Sequence, residues 1–230
     1  MDGDNRFQIV FFGLIMTINN SEAPSKLHGI YVITDQTLTP PDKIEEYVHH
    51  AIQGGCSVVQ YRDKTSSPAQ RLQEALKINA LCRKHHILFI VNDDIELAKQ
   101  SGAHGVHIGK NDVDFILARE LLGQNSIIGV SCYNDIQRAV DAEKQGASYV
   151  AFGRFFNSQI KPEANQADLD VLTKAKQLIN IPIAAIGGID HTNATSLINA
   201  GADMLAVISS VFAQQDIKNA TRKLYDCFGS

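Results

Sequence analysis

The chain has 230 residues, 44% of them hydrophobic and 20% charged, with a formal net charge of -4 and a pI near 6.0. That hydrophobic content, without a low-complexity tract, excludes a disordered chain and suits one domain with a large core. The mildly acidic balance, with Lys and Arg scattered, argues against nucleic-acid binding through the phosphate backbone, and four widely spaced cysteines without a C-x-x-C pair predict reduced thiols in a cytoplasmic protein.

The first 27 residues stand apart from the rest of the chain. Residues 7–18 are apolar but too short to span a bilayer, and they lack the Lys-rich start and small-residue cleavage site of a signal peptide. The expectation is an extension over 1–27, either flexible or a helix closing a barrel floor, ahead of one domain over 28–230. No membrane association is expected.

From residue 30 onward, short runs rich in strand-forming residues recur at 30–33, 57–60, 88–91, 105–108, 127–130, 149–152, 183–186 and 204–207. Each stops at a polar or glycine cluster that opens a helical segment. Strands alternating with helices at this pitch read as parallel βα units. Eight such units predict an α/β fold of the (β/α)8 TIM barrel type, whose active site lies at the C-terminal ends of the strands. The pairs Gly55-Cys56, Gly102-Ala103, Gly146-Ala147 and Gly201-Ala202 support this, since glycine fits the left-handed position just past a helix. The competing open sheet commonly carries G-x-G-x-x-G after an early strand, and none is found after the first run here.

The polar stops therefore hold the candidate site. After the second run come Gln60-Tyr61-Arg62-Asp63-Lys64 and then Ser67-Pro68, where Ser can cap a helix and Pro can occupy its first turn. The third and fourth runs end in Asn92-Asp93-Asp94 and in His107-Ile108-Gly109-Lys110-Asn111-Asp112. Carboxylates on neighbouring loops can bind Mg2+, which takes few protein oxygens and keeps waters or a substrate phosphate. Equally, Asn92 or Asp93, and Asp112, can cap the next helices in the chain. His107 reads as a satisfied structural histidine.

The fifth run ends in Gly129-Val130-Ser131, and the sixth in a long loop with Ser158 and Lys161 that reads as a lid, an anion grip or a plain surface excursion. The seventh and eighth end in Ile186-Gly187-Gly188-Ile189 and Ile208-Ser209-Ser210. Barrel phosphate sites are often built from these two loops, where glycine lets backbone N–H groups approach the anion and a short helix points at it.

Together these motifs resemble the thiamine-phosphate synthase family of phosphate-binding barrels. The resemblance runs from His28 to about Phe212 and rests on Gly29 to Asp35, Gln60 to Lys64, Asn92-Asp93, Gly105 to Gly109 with Asp112, Gly129 to Ser131, and Ala185 to Ile189 with Asn193-Ala194. It implies a transferase that joins 4-amino-2-methyl-5-hydroxymethylpyrimidine diphosphate to 4-methyl-5-(2-phosphoethyl)thiazole with Mg2+, releasing pyrophosphate. It further implies metal ligation by Asp93 and Asp112 and diphosphate contacts from Gln60, Lys64, Asn92 and Lys161, with Arg62 a further substrate-binding residue. Ser131 would bond the pyrimidine, Ser158 would add a hydroxyl, and Gly188, Ile208 and Ser209 would seat the thiazole phosphate. Lys64, Ser131 and Lys161 are the catalytic set. Partners are small molecules only, with a homo-oligomer left open.

One loop departs from the family, which usually reads Phe-Pro-Thr-x-Thr-Lys where this chain has Phe156-Asn157-Ser158-Gln159-Ile160-Lys161. Ile160 cannot donate a hydrogen bond, a loss on the order of 1 kcal/mol. Two rival readings stand beside the synthase: a thiazole tautomerase of the same fold, whose histidine after the fifth strand is replaced here by Tyr133, and a catalytically silent ligand-binding barrel.

Overall fold

A computed structural model describes residues 27–109, 115–156 and 167–229. The extension expected over 1–27 thus lies outside the described residues except at its last position. In chain order the elements are β1 Gly29–Ile33, α1 Ile44–Gly54, β2 Cys56–Tyr61, α2 Pro68–Lys84, β3 Leu88–Asn92, α3 Ile95–Ser101, β4 Gly105–Ile108, α4 Phe115–Leu122, β5 Ile127–Tyr133 and α5 Ile136–Lys144. Next come β6 Tyr149–Gly153, α6 Asp170–Leu178, β7 Ile183–Ile186, α7 Ala194–Asn199, β8 Met204–Val207, the single turn α8 Ser209–Phe212, and α9 Ile217–Asp226.

The eight strands pair in sequence order, all parallel, and β8 returns to β1, so the sheet is a closed barrel. All eight expected strands are present. Their near-continuous Val, Ile, Leu and Ala content matches strands covered on both faces. Residues alternate between two cores. Tyr31, Ile33, Val58, Leu88, Ile90, Tyr149, Ala184 and Met204 fill the barrel. Ile30, Val32, Val59, Phe89, Val91, Val106, Val150 and Leu205 pack outward against the helices.

Helix ends obey the sequence signals. Ser67 accepts a bond from Gln70 N at the start of α2, with Pro68 as its first residue. Gly55 and Gly102 close α1 and α3 in the left-handed conformation, as expected. Strand boundaries agree with expectation to within one residue except at β5, which continues past residue 130 to Tyr133, because its ladder with β6 runs on through a bulge between Ser131 and Tyr133. Ser131 therefore sits on a strand, where hydrogen bonding holds the backbone, and not on a loop.

Candidate active site

At the C-terminal end of the barrel the strands open into a pocket enclosing about 1220 Å³, including the solvent at its mouth. Its wall takes Arg62 and Lys64 from the segment after β2, Asn92 and Asp93 from the end of β3, and His107 and Gly109 from β4 and its exit. Ser131 and Tyr133 come from β5, Arg154 lies just past β6, Gly187 to Ile189 just past β7, and Ile208 to Ser210 just past β8. The sequence-predicted residues Arg62, Lys64, Asn92, Asp93, Ser131, Gly188, Ile208 and Ser209 thus converge on one cavity from five different strands. Asp112, Ser158 and Lys161 lie outside the described residues, as does Ile160.

Asp93 occupies the left-handed region, with φ of 62°. This backbone shape is uncommon outside glycine, though Asp and Asn adopt it more readily than most. Its Oδ2 receives the Asn92 amide at 2.6 Å and lies 3.2 Å from Lys64 Nζ. Neither Asn92 nor Asp93 caps α3. That role falls to Asp94, whose Oδ1 accepts from Leu97 N at 2.9 Å while its Oδ2 meets Arg71 at 2.8 Å. The capping alternative is therefore corrected by one residue, and the Asp93 carboxylate is left facing the cavity.

Arg62 is anchored on the other side. Its backbone N–H donates to Thr34 Oγ1 at 2.9 Å, and its guanidinium lies 3.7 Å from Asp35. Gln60 lies below the pocket floor. It is buried, and its amide nitrogen donates to the Tyr31 hydroxyl at 2.6 Å.

The glycine turn after β7 is pinned by its own side chains. Asp190 N donates to Asn193 Oδ1 at 3.0 Å, and Asn193 Nδ2 returns a bond to Gly188 O at 3.0 Å. The Asp190 carboxylate accepts from the Thr192 hydroxyl and N–H, which holds its pKa below the ordinary value. Gly187 has φ of 104°, and a Cβ there would lie 2.2 Å from Arg154 Cβ, so the turn is packed against the β6 exit and admits only glycine. Across from it, α8 begins at Ser209 with no side-chain cap, and the buried Ser210 hydroxyl has no hydrogen-bond partner among the described residues.

Arg154, Tyr133 and Ser210 also line the pocket, although sequence reasoning, which found all three at strand ends, assigned none of them a substrate contact. It also placed His107 correctly as satisfied, its ring nitrogens lying 2.9 Å from Tyr149 and from Ser131, but did not see that the ring borders the cavity. Each lies at or within three residues of the C-terminal end of its strand, and which of these positions turn inward becomes readable only when the register is known.

A closed parallel barrel with its polar side chains gathered at the strand C-termini has the architecture of a (β/α)8-barrel enzyme. Residues 30–211 match the family model for thiamine monophosphate synthase. A thiamine-phosphate synthase of Alcanivorax borkumensis is 48% identical over 206 residues, covering 88% of this chain and 95% of its own. Another, from Nitrosococcus oceani, is 45% identical over 196 residues, with coverages of 85% and 90%. Among solved structures, the thiamine phosphate pyrophosphorylase of Pyrococcus furiosus superposes with a TM-score of 0.80 at 34% identity, over 87% of this chain and 95% of that one. The chain belongs to the thiamine monophosphate synthase family.

Proposed function

We propose that the barrel mouth joins 4-amino-2-methyl-5-hydroxymethylpyrimidine diphosphate to 4-methyl-5-(2-phosphoethyl)thiazole, giving thiamine phosphate and pyrophosphate, as a thiamine-phosphate synthase. The carrying observation is the cluster Lys64, Asp93 and Asn92 on one wall, facing the Gly188 turn and the α8 start on the other. Two anionic groups need two such sites, and a tautomerase acting on the thiazole phosphate alone would leave the first without a task.

The reaction needs no strong base. Loss of pyrophosphate breaks a carbon–oxygen bond and leaves a pyrimidine-methyl cation stabilised by the ring amine. The thiazole nitrogen then forms the new carbon–nitrogen bond. What the chain must supply is fixed positive charge and N–H donors around the departing oxygens, since electrostatic stabilisation aimed at developing charge is usually the largest catalytic contribution. Arg62, Lys64 and Asn92, which line the cavity, would take that role, with Lys161 added from the family resemblance. Gln60 has one amide N–H committed to Tyr31 and carries a second N–H and a carbonyl. Gly188, Ile208 and Ser209 would hold the thiazole phosphate through backbone N–H groups, with the Ser210 hydroxyl beside them. Holding both substrates side by side turns a bimolecular encounter into a positioned one.

Mg2+ fits the donor set. The Asp93 carboxylate offers hard oxygens at the cavity, beside a lysine that would compensate a diphosphate, and Asp112 is the second ligand by resemblance. When bound, the ion would neutralise charge on the leaving pyrophosphate. Among the described residues no helix is long and apolar enough to cross a membrane, and small biosynthetic substrates agree with a cytoplasmic enzyme.

The test is turnover of the two substrates by purified protein with Mg2+ or with EDTA, monitoring thiamine phosphate by mass spectrometry. Mg2+-dependent product is expected. Absence of product from folded protein would favour the silent barrel.

A further inference from the structure

A chain of hydrogen bonds crosses the barrel interior beneath the pocket. Gln60 Nε2 lies 2.6 Å from the Tyr31 hydroxyl, which lies 2.7 Å from the Tyr149 hydroxyl. That hydroxyl lies 2.9 Å from His107 Nδ1, and His107 Nε2 lies 2.9 Å from Ser131 Oγ. Five side chains from β1, β2, β4, β5 and β6 are thereby joined, and of these His107 and Ser131 border the cavity.

Register explains how they meet. His107 pairs with Gly129, and Gly129 with Tyr149, so the three stand in one row around the barrel. A Cβ on Gly129 would lie 2.1 Å from Tyr149 Cζ and 2.4 Å from its hydroxyl oxygen. The absent side chain is the space through which the phenol reaches across β5, where its ring stacks on that of His107.

A fixed donor at one end can give such a chain a direction. An amide nitrogen only donates, whereas a phenol carries one proton and can also accept. With Gln60 donating to Tyr31, the Tyr31 proton is free to go to Tyr149, and the Tyr149 proton in turn to His107 Nδ1. Burial pushes both phenols well above their ordinary pKa, so each keeps the proton this order needs. In that order Nδ1 is an acceptor, and a neutral ring would carry its proton on Nε2, facing Ser131 Oγ.

We infer that Gln60, Tyr31, Tyr149 and His107 act as positioning residues that fix the Nε2–H tautomer of His107 and leave the Ser131 hydroxyl proton turned into the pocket as a hydrogen-bond donor. The ligand atom opposite Ser131 is then an acceptor, and on the thiamine reading of this site it is an unprotonated ring nitrogen of the pyrimidine, not its amino group. The polarity of the chain itself does not depend on that reading.

The test uses 15N-labelled full-length protein without substrate, with the His107 signals identified by their loss in His107→Gln. The expected result is one-bond coupling of a proton to Nε2 only, and a hydroxyl proton coupled across the hydrogen bond to Nδ1. A proton bonded to Nδ1, in the neutral or the doubly protonated ring, would overturn the proposal. In Gln60→Leu the fixed donor is gone and both tautomers are expected; a single unchanged tautomer would remove Gln60 as the source of direction. Failure of the turnover assay with the Nε2–H tautomer intact would count against the thiamine reading alone.

Discussion

Lys64 Nζ stands 3.2 Å from Asp93 Oδ2, a contact that ties the segment after β2 to the end of β3 across the mouth of the barrel. The lysine side chain is 55% exposed and the aspartate 25%, so the pair itself contributes little to stability. On the proposed function its consequence is catalytic: the lysine would meet a diphosphate and the carboxylate a cation.

Asp93→Ala is therefore expected to lower turnover by about a hundredfold or more, in line with the loss of a group stabilising developing charge, with thermal unfolding nearly unchanged. Steady-state rates at saturating Mg2+ beside a melting curve decide this. Wild-type turnover would remove Asp93 from the metal site.

Asp94→Ala should do the reverse. Loss of the α3 cap costs about 1 kcal/mol, and loss of the Arg71 bond adds to it, while turnover at saturating substrate stays within about twofold. Chemical denaturation with parallel assays separates the neighbouring carboxylates.

Gly129→Ala should be poorly tolerated, because the new Cβ falls on the Tyr149 phenol. Overpacking of this kind costs about 1–3 kcal/mol, read as a lower denaturation midpoint at unchanged slope. Wild-type stability would mean that Tyr149 can leave the row without penalty.

Asn193→Leu removes the side-chain bonds that pin the Gly188 turn from both ends. The expected outcome is a KM for the thiazole phosphate raised about tenfold, the equivalent of roughly 1.4 kcal/mol, with the KM for the pyrimidine diphosphate unchanged. Equal effects on both substrates would place the turn elsewhere in the mechanism.

His104 gives a pH signature. Its Nδ1 accepts the Phe89 N–H at 3.0 Å, and burial, with the nearby Arg83 second, holds its pKa below 6.5. A lowered histidine pKa means that the unfolded chain takes up the proton first, so stability is full above pH 6.5 and falls as pH drops from there toward the lowered folded value. His104→Asn, which keeps an acceptor but does not titrate, should flatten this part of the stability–pH curve. An unchanged slope would assign it to other groups.

The sequence carried the barrel because eight βα units leave a local record: β-branched runs, the glycines that close helices such as Gly55 and Gly102, and the Ser67-Pro68 start of α2 all act within a few residues. Motifs at the strand ends likewise placed Lys64, Asn92, Asp93, Ser131 and Gly188 around one mouth, since each is fixed by where its own strand stops. The split of duties between Asp93 and Asp94 was not legible, because either carboxylate could cap a helix until the backbone at Asp93 turned left-handed. Nor was the interior chain from Gln60 to Ser131, whose members lie up to 118 residues apart in a single contact. Which side chains share a row inside a barrel depends on strand register, and register is set only when all eight strands close.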